Sequence, residues 1–284
     1  MSSRKTNKRH VSWPRLIVSV AVVGTLATLA VSHPKAISAY VGQLSASRSV
    51  AKNTQGTHKT KPSPKVSTRP KVKPIPSSYL MHVPAQSQFP QLANGCEVTS
   101  MSMLLDAVGH PVNKVTLAKE MPKDPTPLKL TQVKNAQGQT VNKVAFWGNP
   151  NVGFVGSVYK AGYGYGIYNG PMTKFLNQIL PGRAVNLTGK PFSEILAHVG
   201  TGTPVEAWTT LTFKPTNNWV TWNSPEGPVH ATPLEHAVLI VGYSPNYLYI
   251  NNPWTGQASE KVAKAPFIAA WKQLGEQAIT VKSH

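Results

Sequence analysis

The chain has 284 residues, 29 Lys and Arg against 10 Asp and Glu, and a single cysteine. The charge is segregated: residues 1–80 hold fourteen basic residues and no acidic one, and the remainder carries fifteen basic against ten acidic. A nearly balanced domain does not read as a nucleic-acid binder, and one thiol excludes an internal disulfide framework; the positive charge suits export and an anionic cell surface.

Arg4, Lys5, Lys8, Arg9 and Arg15 precede an apolar stretch from Leu16 to Val31, the charged and apolar regions of a secretory signal. The stretch has sixteen residues and includes Ser19, Thr25 and Thr28, short of the ~20 apolar residues that comfortably span a bilayer. Small residues at Ala30-Val31-Ser32 and Ala36-Ile37-Ser38-Ala39 offer cleavage sites; a retained anchor is the alternative. Residues 1–40 are therefore read as a signal peptide or N-terminal membrane anchor, and the rest as secreted or cell-surface. Residues 41–79 are rich in Ser, Thr, Lys and Pro and lack apolar periodicity. Such a segment buries too little to offset its ordering entropy, so it reads as a disordered, Pro-stiffened basic linker. Anionic cell-wall polymer is its expected partner.

The globular domain is assigned to residues 80–284. Val98, Met101, Leu104, Leu105 and Val108 recur at helical spacing after Cys96, and Gly109 and Pro111 end that helix. Residues 111–160 read as loop-rich, with many Pro, Asn and Gly. Met172 to Ile179 and Ser193 to Val199 read as short helices, and Pro204 to Thr209 as an alternating strand. Ala237 to Tyr243 is a continuous apolar run, expected as a buried strand. Ser244-Pro245-Asn246 turns the chain, so Tyr247 to Asn251 returns as its hairpin partner. A last helix is expected from Pro266 to before Gly275. A helix followed by an antiparallel sheet with flanking helices is an α+β fold.

Cys96 falls where a loop becomes a helix. Unpaired N–H groups and the helix dipole at that end favour a thiolate, the reactive form of the side chain. A thiol nucleophile needs a base, and the base an orienting group. Of nine histidines, His10, His33 and His58 fall in the leader or linker, and His284 is terminal. His82, His110, His198 and His230 read as loop or surface residues. His236 opens the buried strand, where its ring can enter a cleft. The hairpin brings Asn252 back beside it, as an acceptor for the ring Nδ1–H. The Cys96 N–H and the side chain of Gln88, preferred over Gln86 and Gln91, are candidate oxyanion donors.

The segments Val83-Pro84, Ser87-Gln88, Asn94-Gly95-Cys96-Glu97-Val98-Thr99-Ser100, Trp147-Gly148-Asn149-Pro150, Gly153-Phe154-Val155-Gly156, Glu235-His236-Ala237-Val238 and Asn251-Asn252-Pro253 together resemble secreted bacterial C-39-like cysteine peptidases. The resemblance covers about residues 82–281. It implies a papain-like fold in which Cys96 aligns with the nucleophile, His236 with the base and Gln88 with the oxyanion donor. The family's third residue is usually Asp, where this chain has Asn252, and Asn252→Asp is expected to be tolerated. No transporter domain accompanies the peptidase region, so leader-peptide cleavage is not implied.

Gly162-Tyr163-Gly164-Tyr165-Gly166 superficially suggests a phosphate loop but lacks the following Lys. An aromatic loop lining a cleft is the better reading. Trp219 and Trp222 suit either sheet packing or stacking on peptide or glycan. Glu97 and Glu235 adjoin catalytic candidates and set local charge or pair at the surface. No metal-ligand spacing is present, and no cofactor is expected. The expected function is an extracellular cysteine peptidase or amide hydrolase using Cys96, His236 and Asn252 on peptide or cell-wall peptide. The alternative is a non-catalytic papain-like module that binds peptide or wall polymer.

Overall fold

The structure, a computed structural model, describes residues 75–282. The leader and nearly all of the linker lie outside them. Strand β1 (Tyr79–Leu80) precedes the site helix α1 (Cys96–Ala107) and the short helix α2 (Lys114–Glu120). Strands β2 (Lys123–Asp124), β3 (Lys129–Lys134), β4 (Thr140–Phe146) and β5 (Phe154–Val155) follow, then helix α3 (Asn169–Ile179), β6 (Ala184–Asn186), helix α4 (Phe192–Gly200) and β7 (Val205–Thr210). The chain continues through β8 (Val220–Ser224), β9 (Gly227–Ala231), β10 (Glu235–Tyr243), β11 (Tyr247–Asn252), β12 (Gln257–Ala263), helix α5 (Lys264–Gln273) and β13 (Ala278–Val281).

The central sheet runs β12-β11-β10-β7-β13-β6, with β1 added to the end of β10. All its pairings are antiparallel. Helices cover both faces, which is why β7 and β10 are buried at every residue. Ala237, Leu239 and Val241 join the core under α1 and α3, whereas Val238 and Ile240 join a second core with Phe267 and Trp271 of α5. This is the expected α+β architecture.

The loop-rich stretch 111–160 also holds α2 and the β3–β4 hairpin, which its sequence did not announce. Helix α2 has only seven residues, and the Asn113 side chain caps it by accepting from Val115 N at 2.8 Å. Strand β3 is exposed at all six positions, so it carries no alternation of buried and exposed residues to read. The β8–β9 hairpin was missed as well, and His230 lies on β9 rather than in a loop. There, Trp222 and Val229 pack with Trp147 in a small separate core.

Candidate functional site

Helix α1 begins at Cys96 with Gly95 as its N-cap residue. A Cβ at Gly95 would lie 2.6 Å from Leu92 Cβ, so glycine lets the incoming loop press on the helix start. That loop carries Gln88, which is 1 % exposed. Its backbone N–H donates to the Pro253 carbonyl at 2.8 Å, and its Nε2 donates to the Ala93 carbonyl at 3.1 Å. Nε2 keeps a second N–H beyond that bond. Gln86 is tied instead to Ser102 and Asp106 on the outer side of α1, a structural role. The Pro253 carbonyl thus joins the Gln88 loop to the end of β11.

His236 is 1 % exposed, and its Nε2 lies 2.9 Å from Asn252 Oδ1. The expected partnership forms, but through Nε2 rather than Nδ1. Burial pushes the imidazole down to about 4, against the raising effect of the Asn252 bond, so the ring is neutral at neutral pH. A neutral ring that donates from Nε2 has a bare Nδ1, the nitrogen able to take a proton.

Cys96 is reduced and buried. Ser100 one turn on donates to the Ala237 carbonyl at 3.3 Å, which seats α1 against the mouth of β10. The thiol lies against the same residue, whose backbone N–H favours the thiolate. The S–H itself donates to Glu97 Oε2 at 3.4 Å. Among the described residues, no hydrogen bond joins Sγ to the His236 ring. The pleat explains this. Cys96 shares a core with Ala237, whereas His236 has the parity of Val238 and Ile240.

The thiol is not lowered by the helix terminus, contrary to the sequence expectation. Burial raises it well above its ordinary value, and the charges of Glu97 and Glu235 raise it further. Both glutamates are buried, at 1 % and 8 % exposed, so surface pairing is excluded for them. Glu97 Oε1 accepts from Ile167 N at 2.8 Å, and burial pushes this carboxyl up to about 7. Glu235 and the fully buried Glu206 of β7 are raised well above the usual range by burial, and the neighbouring carboxyls add to it. Glu206 has no hydrogen-bond partner at either oxygen, and Glu235 has none at Oε1. Sequence reasoning missed Glu206. Its place in an otherwise apolar alternating strand, Val205 to Trp208, was the available signal.

Cys96, Glu97 and Glu235 offer three donor atoms within 4.8 Å of one another. A thiolate with two carboxylates is a chemically acceptable set for a zinc-like cation. Burial holds the thiol and the Glu235 carboxyl toward their neutral forms, and Glu97, at about 7, is partly ionised at neutral pH.

The glycine-rich segment forms the roof of this cluster. Val155 N donates to the Gly166 carbonyl at 3.0 Å, and Trp208 Nε1 donates to the Ile167 carbonyl at 3.0 Å. Tyr165 and Tyr168 join their hydroxyls at 2.7 Å. It is a structural aromatic loop with no phosphate-cradle geometry. Trp219 stacks on His230, with ring centroids 4.7 Å apart, beside a groove of about 480 Å³ that Tyr168 and Gln277 also line.

Residues 80–279 match the Peptidase_C39 like family. The chain is 36% identical to the uncharacterized protein YvpB of Bacillus subtilis (strain 168) over 197 residues, covering 69% of this chain and 72% of YvpB. It is also similar to the crystal structure of a candidate C39-like peptidase from Bacillus anthracis. There the TM-score is 0.63 at 36% identity, over 73% of this chain and 98% of that one. With the match extending across nearly all of the described residues, the chain belongs to the C39-like peptidase family.

Proposed function

We propose that the protein is an extracellular cysteine-type amide hydrolase acting on peptide or cell-wall peptide. Cys96 is the nucleophile, His236 the base, Asn252 its orienting partner, and Gln88 with the Cys96 N–H the oxyanion donors. The observation that carries this reading is the buried His236–Asn252 bond of 2.9 Å at the mouth of β10, where α1 also begins. The resting pair is a neutral thiol and a neutral imidazole. In the resting site the thiol and the ring lie on opposite faces of β10, so turnover on this reading needs Sγ to leave Glu97 and meet Nδ1 at the end of that strand. Sγ attacks the carbonyl carbon as Nδ1 takes the S–H proton. The ring then protonates the leaving amine, and water releases the acyl group. Export rests on the composition of residues 1–40, and contact with anionic wall polymer on the basic linker.

A second reading has a specific observation behind it. The bond from Sγ to Glu97 and the raised thiol suit a papain-like binding module with an idle sulfur. Peptidoglycan fragments and a fluorogenic peptide library, read by mass spectrometry, separate the two. Hydrolysis lost by at least about a thousandfold in Cys96→Ala and in His236→Ala, with unchanged circular dichroism, supports the enzyme. Hydrolysis retained by Cys96→Ala overturns the assignment of the nucleophile. Binding of these ligands without turnover favours the module.

A further inference from the structure

The bond network continues past Asn252. Its Nδ2 donates to Glu260 Oε2 at 2.7 Å, while its Oδ1 faces His236 Nε2 at 2.9 Å. Asn252 is 4 % exposed, so its amide has few other partners to choose from. Oδ1 also accepts from the Trp254 N–H at 3.0 Å. Glu260 stands on β12, paired with β11 in a register that shifts between Ile250 and Asn252. That irregularity sits where Asn252 meets Glu260.

An asparagine amide has two nearly isosteric ends, and only one of them accepts. A carboxylate is acceptor-only, so it can hold the NH2 end and no other. With the NH2 end held by Glu260 and Oδ1 also accepting from the Trp254 N–H, Oδ1 faces the ring, and the ring carries its proton on Nε2. Nδ1 is then bare. We propose that Glu260 is a positioning residue that fixes the Asn252 amide and, through it, the His236 tautomer. In this chain the charge that an Asp would place beside the ring stands one residue further out, on Glu260. This assignment rests on the hydrolase reading for its catalytic meaning, but the tautomer exists without a substrate.

The same geometry revises the expectation for Asn252→Asp. A carboxylate at 252 would face the Glu260 carboxylate at hydrogen-bond distance, where like charges repel. The reciprocal exchange, Asn252→Asp with Glu260→Gln, restores one donor to one acceptor.

The test uses the full chain with 15N-labelled histidine. Ring nitrogen shifts at neutral pH report the His236 tautomer, and iodoacetamide labelling of Cys96 and peptide hydrolysis are followed in parallel. Wild type should show the Nε2–H form. Glu260→Ala, which leaves only the Trp254 N–H to hold the amide, should show some of the Nδ1–H tautomer beside the Nε2–H form and a loss of hydrolysis of about tenfold or more. Asn252→Asp alone should be impaired, and the double exchange should regain most of the hydrolysis lost by the single variant. Should Glu260→Ala fail to fold, the comparison of Asn252→Asp with the double exchange still decides. An unchanged tautomer in Glu260→Ala, or a double exchange no better than Asn252→Asp, overturns the assignment. A tautomer that responds to Glu260 in a protein without hydrolysis supports the positioning role and removes the hydrolase reading. Hydrolysis that needs Cys96 and His236 but ignores Glu260 does the reverse.

Discussion

Cys96 and Glu97 are chain neighbours whose side chains face each other, with Sγ 3.4 Å from Oε2. Consecutive helical residues point about 100° apart, so such a contact needs Glu97 to turn back over the helix start. The Ile167 N–H holds it there at 2.8 Å. The outcome is a thiol surrounded by acids at the end of the helix where its anion would otherwise be favoured.

Removing one of those charges should wake the thiol. Glu97→Gln keeps an oxygen for Ile167 N and turns an NH2 toward the sulfur. Each unit by which the thiol falls gives about ten times more thiolate. Each thiolate is then about threefold less nucleophilic, so the net gain in labelling is about threefold per unit. Iodoacetamide alkylation of Cys96 at fixed neutral pH should therefore be several-fold faster in Glu97→Gln, whereas Glu235→Gln, which replaces a carboxyl that burial already holds toward its neutral form, should change the rate little. A rate unchanged or slower in Glu97→Gln would show that burial alone governs the sulfur.

Glu206 makes a separate case because its two oxygens have no partner and its cross-strand neighbours are Leu239 and Ile279. A buried acid without hydrogen bonds is costlier than an apolar side chain of similar length. Glu206→Met should stabilise the domain by about 1–3 kcal/mol, read as a higher urea midpoint. The gain should depend on pH. The folded carboxyl is raised well above its ordinary 4.5 and keeps its proton. Above 4.5 the unfolded chain releases that proton, so wild-type stability falls as pH rises. Met has no proton to release. The gap between variant and wild type should widen from about pH 5 to about pH 8. A constant gap would mean that Glu206 is already ionised in the folded domain.

The two sides of this site were not equally legible in the sequence. Helix α1 was readable because five apolar residues recur at its period and Gly109, with φ +74°, stops it. The β10–β11 hairpin was readable because helices cover both faces and leave an unbroken apolar run. Asn252 beside His236 followed from the turn length. What could not be read was the side of each strand. A continuous apolar run conceals its parity, so the opposite faces of Ala237 and His236 were invisible. The upward shift of the thiol was hidden for a related reason. It depends on Glu235 and Glu97, 138 positions apart in the chain, becoming buried together. Glu260 was equally out of reach, because it lies on an exposed-looking polar strand whose register is broken by a bulge.

The glycines of the roof give a stability series with a built-in control. At Gly166 a Cβ would come within 2.5 Å of Glu97 Oε1 and 3.0 Å of Glu235 Oε2. At Gly164 it would run into the Ser157 carbonyl oxygen, a backbone atom that cannot swing aside. Gly170, in the first turn of α3, meets nothing within 4 Å and has no left-handed φ. Gly164→Ala should therefore cost the most, Gly166→Ala about 1–3 kcal/mol, and Gly170→Ala should be neutral or stabilising by up to about 1 kcal/mol. Chemical denaturation of the three variants supplies the order. Gly166→Ala should also speed Cys96 alkylation, because Glu97 must yield to the new methyl group and so withdraws from the thiol. If Gly166→Ala is as harmless as Gly170→Ala, and labels at the wild-type rate, the roof does not press on the acid pair, and the loop merely passes over it.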